Sequence, residues 1–112
     1  MSSMKLCILG DVWSLEERTK AEDETLQECD GYCDWSDKLI VVQGDMEGDL
    51  GNMVAYKRKT MRHEIVHAFL FSSGLGECSL RPESWALNEE MVDWFAHMGP
   101  KIYAVWQAAG CV

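Results

Sequence analysis

The chain has 112 residues, 47% of them hydrophobic, with a formal net charge of −9. This length and apolar content suffice for one compact core, so we expect a single domain over residues 1–112. Nucleic acid is not an expected partner, because phosphate binding needs a basic surface and 19 acidic residues here face 10 Lys and Arg. No stretch approaches the ~20 apolar residues of a membrane span and no signal-peptide pattern begins the chain, so we expect a cytoplasmic protein without membrane contact.

The first half of the chain predicts two β-hairpins. In each of them a strand-like run is followed by a turn signal and a second run. The second run of the second hairpin, residues 38–43, is the most strand-like part of the chain. The predicted strands and turns are residues 5–9, Gly10-Asp11 and 12–19 in the first hairpin, and residues 31–35, Ser36-Asp37 and 38–43 in the second.

The second half predicts three helices. Residues 53–73 lack Gly and Pro and carry apolar residues at three- and four-residue steps, which predicts the longest helix, ended by Gly74. A second helix is predicted at about residues 84–97, and Pro100 opens a third. Strands followed by helices predict an α+β fold, with three helices packed on a small antiparallel sheet. The aromatic residues predicted to lie in the core are Phe69, Trp85, Trp94, Phe95 and Trp106.

Two histidines stand four residues apart in the longest predicted helix, within the sequence HEIVH of residues 63–67. Because residues i and i+4 share a helix face, His63 and His67 can bind one zinc ion together, while Glu64 is directed toward the open coordination position. A chance match to this pattern in so short a chain is on the order of a few per thousand. The alternative is a histidine pair on a partly buried helix, and a third ligand would argue against it.

A carboxylate for the third ligand is available in residues 88–93, NEEMVD, on the second predicted helix. HExxH followed by Glu-x-x-x-Asp resembles the gluzincins, the thermolysin-like branch of zinc peptidases. The resemblance implies that Glu89 is the third ligand of a single zinc ion and that Asp93 orients His63. A metal-bound imidazole also needs an acceptor for its other N–H, whatever the family. Glu90 is a weaker candidate, because it lies only three residues before Asp93.

The resemblance covers about residues 38–95 and extends to the minigluzincins, soluble scaffolds of similar length, and to small metallopeptidase-like proteins of phages and prophages. It implies a zincin-like minimal metallopeptidase domain in which residues 38–43 are the edge strand that pairs with an extended substrate. Such enzymes usually steady the oxyanion with a second electrophile. The candidates for this role are His97, Tyr103 and Tyr56.

These residues predict a zinc-dependent peptidase whose partner is a peptide or protein substrate. Zinc lowers the pKa of bound water toward ~7, and Glu64 takes the proton and later delivers it to the leaving amine. The alternative is a latent or non-cleaving zinc domain that acts as a regulatory or binding module, associated with phages. A base with no evident fourth protein ligand favours catalysis, because a structural zinc site has four protein ligands.

Overall fold

The computed structural model describes residues 2–46, 48, 51–76, 78, 79, 81 and 84–112. In this part of the chain, a four-stranded sheet is followed by two long helices. The strands are β1 (Ser2–Ile8), β2 (Asp11–Arg18), β3 (Gly31–Asp34) and β4 (Leu39–Gln43). The helices are α1 (Met53–Ser72) and α2 (Glu89–Ala108), and single-turn 3-10 helices cover Glu24–Gln27 and Trp85–Leu87.

Both predicted hairpins are present. β1 and β2 pair antiparallel, and the turn between them holds Leu9 and Gly10 at φ values of 51° and 87°, the left-handed pair that a type I′ turn requires. β3 and β4 also pair antiparallel. The Asp34 carboxylate stabilises their turn by accepting hydrogen bonds from the backbone N–H groups of Ser36 at 3.0 Å and Asp37 at 3.3 Å. Local turn chemistry therefore decides both hairpins.

The sheet is mixed, so the prediction of an antiparallel sheet is wrong. Its strand order is β1-β2-β4-β3, and β2 pairs with β4 in parallel. The apolar run of β4 takes the inner position because it needs cover on both faces, and Ile40, Val41 and Val42 are completely buried. The prediction that residues 38–43 form an edge strand is wrong for the same reason. In the described part of the chain, the edges of this sheet are β1 and β3.

The core lies between the sheet and α1. The buried side chains that form it are Ile8, Trp13, Leu15, Ile40, Val42 and Ala68. Trp13 is 1% exposed, and its indole Nε1 donates a hydrogen bond to Ser72 Oγ at 2.9 Å, at the end of α1. Ser72 Oγ in turn donates to Asp11 Oδ2 at 2.8 Å. This chain of hydrogen bonds fastens the C-terminal end of α1 to β2.

The ends of α1 lie within one residue of the predicted ones. Asn52 is the N-cap, and its side-chain oxygen accepts a hydrogen bond from the Ala55 backbone N–H at 3.0 Å. Ser73 is the C-cap, and Gly74 follows it with a φ of 89°, a conformation that a residue without Cβ adopts at little cost. The sequence pattern and the capping residues are therefore enough to specify this helix.

α2 is one continuous helix, so the prediction of three helices, with a break at Gly99-Pro100, is wrong. Pro100 has no N–H, which leaves the Ala96 carbonyl without its helical donor. Arg62 of α1 replaces that donor, since its Nε donates to the Ala96 oxygen at 2.7 Å. Gly99 also lacks the Cβ that would clash with the proline ring. Because of this contact with α1, α2 continues past a proline, a residue that usually ends a helix.

The prediction that five aromatic residues form the core is wrong. Trp85, Trp94, Trp106, Phe69 and Phe95 are all exposed, and the deeply buried tryptophan is Trp13 instead. Three of the five, Trp94, Phe95 and Trp106, lie on α2, which packs against α1 and leaves these side chains uncovered. Among the described residues, no helix combines the length and apolar character needed to cross a membrane.

Candidate metal centre

The side chains of α1 and α2 meet at one cluster. His63 and His67 lie one turn apart on α1, with ring centroids 4.9 Å apart. Glu89 begins α2, and its carboxylate oxygens lie 3.1 Å from His63 Nε2 and 2.7 Å from His67 Nε2. The Asn88 side chain caps this end of α2 by accepting from the Met91 N–H at 2.8 Å. The two histidines and the glutamate that the sequence singled out as ligands are therefore in contact.

Asp93 supports His63 from the side away from Glu89. Its Oδ1 lies 3.2 Å from His63 Nδ1, and its Oδ2 lies 3.2 Å from Lys59 Nζ. Burial opposes ionisation of Asp93, but Lys59 and His63 outweigh it and hold the pKa of this carboxyl below its usual value. An ionised acceptor on Nδ1 leaves Nε2 of His63 as the nitrogen for a metal, which is the usual arrangement of a metal-bound histidine.

The donor groups fit a divalent metal ion. The donor atoms of His63, Glu64 and His67 lie within 4.8 Å of one another, so this group could hold a metal ion. The Glu89 carboxylate contacts both Nε2 atoms, so it also could serve as a ligand. Burial lowers the pKa of His67, against the opposite effect of Glu89. This favours the neutral imidazole that metal binding requires.

Glu64 is a buried carboxyl beside the ligands, only 7% exposed. Burial raises its pKa to about 7, while His63 lowers this pKa and Glu89 raises it. A carboxyl with such a pKa can both accept and release a proton near neutral pH, which a general base and acid must do. A bound cation favours the ionised form and would therefore lower this pKa. Glu64 thus differs from Glu89 in burial, since the Glu89 side chain is 68% exposed.

Two cavities meet at Glu64. The larger, of about 410 Å³, lies between the β3 edge and the side chains of His67 and Glu89. The smaller, of about 170 Å³, adjoins His63 and Tyr56, and Gly31 and Glu64 line both cavities. Volume alone does not mark the site, because another cavity of about 420 Å³, around Trp13, Trp35 and Lys38, contains none of the ligand residues.

The chain matches no family model, no curated protein and no solved structure. The residues of the cluster and their geometry are therefore what indicates its chemistry. These are two imidazoles and a carboxylate from adjacent helices, a buried carboxyl next to them, and an open cleft along one edge of the sheet.

Among the candidates for the second electrophile, Tyr56 is the one that lies at the site, since it lines the smaller cavity together with His63. Its hydroxyl donates to Asp30 Oδ2 at 2.5 Å, and this hydrogen bond raises the pKa of Tyr56 and keeps the phenol protonated. His97 and Tyr103 are exposed on α2 and line neither of the two cavities at Glu64.

Sequence reasoning did not place three further residues at this site. Lys59 contacts Asp93, and its position four residues before His63 on the same helix face is a signal that would have found it. Cys29 and Cys33 line the larger cavity, and nothing in their spacing indicated this. Burial raises the pKa of the Cys33 thiol to about 12 and raises that of Cys29 as well. Both thiols therefore stay protonated near neutral pH, in which form they are poor metal ligands.

Proposed function

We propose that this protein is a zinc-dependent metallopeptidase that hydrolyses peptide bonds. The observation that carries the proposal is the contact of the Glu89 carboxylate with Nε2 of both His63 and His67, with Glu64 buried beside them. Two imidazoles and one carboxylate are a typical ligand set of catalytic zinc, which keeps one coordination position open. A structural zinc site has four protein ligands and needs no base.

Each residue of the site has its own role in hydrolysis. Zinc, when bound, lowers the pKa of a coordinated water to ~7 and polarises the scissile carbonyl. His63, His67 and Glu89 would hold the ion, and Asp93 fixes the His63 ring. Glu64 accepts a proton from the attacking water and delivers it to the leaving amine nitrogen. The Tyr56 hydroxyl lines the adjoining cavity, and it would donate to the developing oxyanion once its single O–H has left Asp30.

The free edge of β3 gives an extended substrate a strand to pair with. Gln43 N–H donates to the Asp30 carbonyl at 2.9 Å, one residue before β3. Because bonding alternates along an antiparallel pair, the main-chain groups of Gly31 and Cys33 face away from β4. A peptide paired with them would lie in the larger cavity, which Glu64 also lines. Recognition through main-chain groups predicts broad sequence specificity.

Metal content and cleavage test this proposal separately. We expect purified wild type to hold close to one zinc ion per chain by plasma mass spectrometry, and Glu89→Ala to lose most of it. Glu64→Gln should keep the metal and lose about 10²- to 10⁴-fold in cleavage of an unstructured protein, the usual contribution of a general base. Glu90→Ala is the matched control, because Glu90 is the exposed neighbour of Glu89 and should keep both properties.

Each result has a distinct meaning. Zinc without cleavage in the wild type would contradict the peptidase and favour the non-cleaving zinc domain that acts as a binding module. Absence of bound metal would contradict both. Loss of metal in Glu90→Ala but not in Glu89→Ala would reassign the third ligand.

A further inference from the structure

The second half of α2 extends away from the rest of the protein. Residues 103–112 are all exposed, whereas Val92 and Ala96 in the first half are buried. The protein exposes 7351 Å², while a compact monomer of 12.7 kDa is expected to expose about 6,200 Å². Its radius of gyration of 14.7 Å also exceeds the value of about 13 Å for a compact chain of this length. The excess surface is roughly 1,100 Å².

Apolar residues follow one another along α2 at alternating four- and three-residue steps. We call this stripe the seam, and its members are Met91, Phe95, Met98, Ile102 and Val105. Their mean spacing of about 3.5 residues is the period with which helices pair in coiled coils. The described residues leave the seam largely uncovered, since Phe95 and Val105 are exposed, Met91, Met98 and Ile102 are only half-buried, and an apolar groove of about 310 Å³ runs beside Ile102.

Charge indicates what can cover the seam. All 19 acidic residues lie at or before Asp93, and Lys101 is the only Lys or Arg in residues 94–112. Two copies of a chain with a net charge of −9 repel each other over most of their surfaces. Along residues 94–112 they can approach without bringing carboxylate side chains together. Electrostatic repulsion between two copies of this chain is therefore weakest at the seam.

We propose that this protein forms a homodimer in which the seam of one copy packs against the seam of the other. A standard interface removes about 800 Å² from each partner, which is less than the excess surface of roughly 1,100 Å² on each chain. Trp94 and Trp106 flank the seam and supply the aromatic area that interface cores favour. At 100° per residue, the seam lies on the opposite side of α2 from Glu89 and Asp93, so both metal centres stay open.

Sedimentation velocity over a series of micromolar concentrations tests the dimer. The mass obtained for wild type should be twice the chain mass of 12.7 kDa. Ile102→Glu places a carboxylate in the middle of the seam and should raise the dissociation constant by at least about tenfold. The matched control is Gln107→Glu, which adds the same charge to the same half of α2 on the side away from the seam, and should stay dimeric.

Further readouts distinguish this dimer from its alternatives. Val105→Glu is a second seam variant, for use if circular dichroism shows that Ile102→Glu has not folded. Zinc content and cleavage should be the same in Gln107→Glu as in wild type, so failure of the peptidase proposal leaves the dimer test intact. A monomeric wild type, or seam variants that dimerise as well as wild type, would overturn the proposal. A monomeric wild type that binds phosphatidylcholine vesicles would assign the seam to a lipid surface instead.

Discussion

Glu64 lies close to the edge of the sheet because residue 31 has no side chain. A Cβ added to Gly31 would lie 2.9 Å from the Val41 carbonyl oxygen, 3.2 Å from Thr60 Cγ2 and 3.5 Å from Glu64 Cγ. The first of these atoms belongs to the backbone of β4, and it cannot move without disturbing the pairing with β3. Gly31 therefore sets how closely α1 and its glutamate approach the strand that we propose for substrate pairing.

Gly31→Ala should destabilise the protein by about 1–3 kcal/mol, the usual cost of overpacking, because the added methyl group meets backbone that cannot move away. Urea unfolding measures this cost. Cleavage should fall at unchanged zinc content, because the ligands on α1 and α2 are retained. Gly51→Ala is the matched control, since a Cβ at Gly51 meets nothing within 4 Å and should change stability by less than about 0.5 kcal/mol. Equal stability of the two variants would show that the missing side chain at residue 31 does not set the distance between α1 and the strand.

At the scale of elements, α2 depends on α1 for more than packing. The helix passes through Pro100 because Arg62 supplies the hydrogen bond that the Ala96 carbonyl lacks. The same helix presents Glu89 and Asp93 to α1 in its first two turns. Arg62 therefore stabilises the helix pair that assembles the candidate metal centre, although it forms no hydrogen bond with His63, His67 or Glu89 in the described structure.

Removal of the Arg62 donor should cost more in the presence of Pro100 than in its absence. Arg62→Met leaves the Ala96 carbonyl unpaired, which we expect to cost about 1–3 kcal/mol in urea unfolding. In a Pro100→Ala background the helix can supply its own N–H to that carbonyl, so the same substitution should cost less by about 1 kcal/mol. An equal cost in both backgrounds would contradict the exchange of donors.

At the scale of the whole molecule, one charged cluster attaches the acidic segment between β2 and β3, residues 19–30, to the sheet. The Asp23 carboxylate accepts hydrogen bonds from the Tyr32 hydroxyl and from Arg18 Nη1, the latter at 2.7 Å. The Tyr32 hydroxyl and Arg18 together hold the pKa of Asp23 below its usual value, against the effect of burial. The ionised form of Asp23 therefore stabilises the folded protein.

Acid should remove this stabilisation in a defined range of pH. The pKa of Asp23 is lower in the folded chain than in the unfolded chain, where it is about 3.9. The stabilisation by ionised Asp23 is therefore complete above pH ~3.9 and is lost as the pH falls through the lower pKa of the folded state. Asp23→Asn should cost about 1.5–3 kcal/mol at neutral pH, and its stability should fall less steeply than that of wild type below pH ~4. Urea unfolding across this range measures both.

The control for this experiment is Asp37→Asn, a substitution at an exposed residue of the β3–β4 turn. At neutral pH it should keep the wild-type stability to within about 0.5 kcal/mol. Parallel curves for wild type and Asp23→Asn below pH ~4 would show that Asp23 does not contribute to acid unfolding.

The sequence by itself determined those features that depend on neighbours along the chain. Turn residues at Gly10 and at Asp34 decide the hairpins, and Asn52 and Gly74 decide the ends of α1. Helical periodicity places His63 and His67 on one face, as it does Glu89 and Asp93. The contact between these two pairs follows once the helices pack together, so the cluster at the candidate metal centre could be named before the structure was known.

Only the tertiary structure decided the features that depend on distant residues. β4 became an inner strand because the fold covers both of its faces, which left β3 as the edge next to Glu64. α2 continues through Pro100 because Arg62, far away in sequence, donates to its backbone. The second half of the helix consequently stays uncovered, and Trp94, Phe95 and Trp106, which were predicted to lie in the core, are exposed. Periodicity shows which side chains share a face, but not whether another element covers that face.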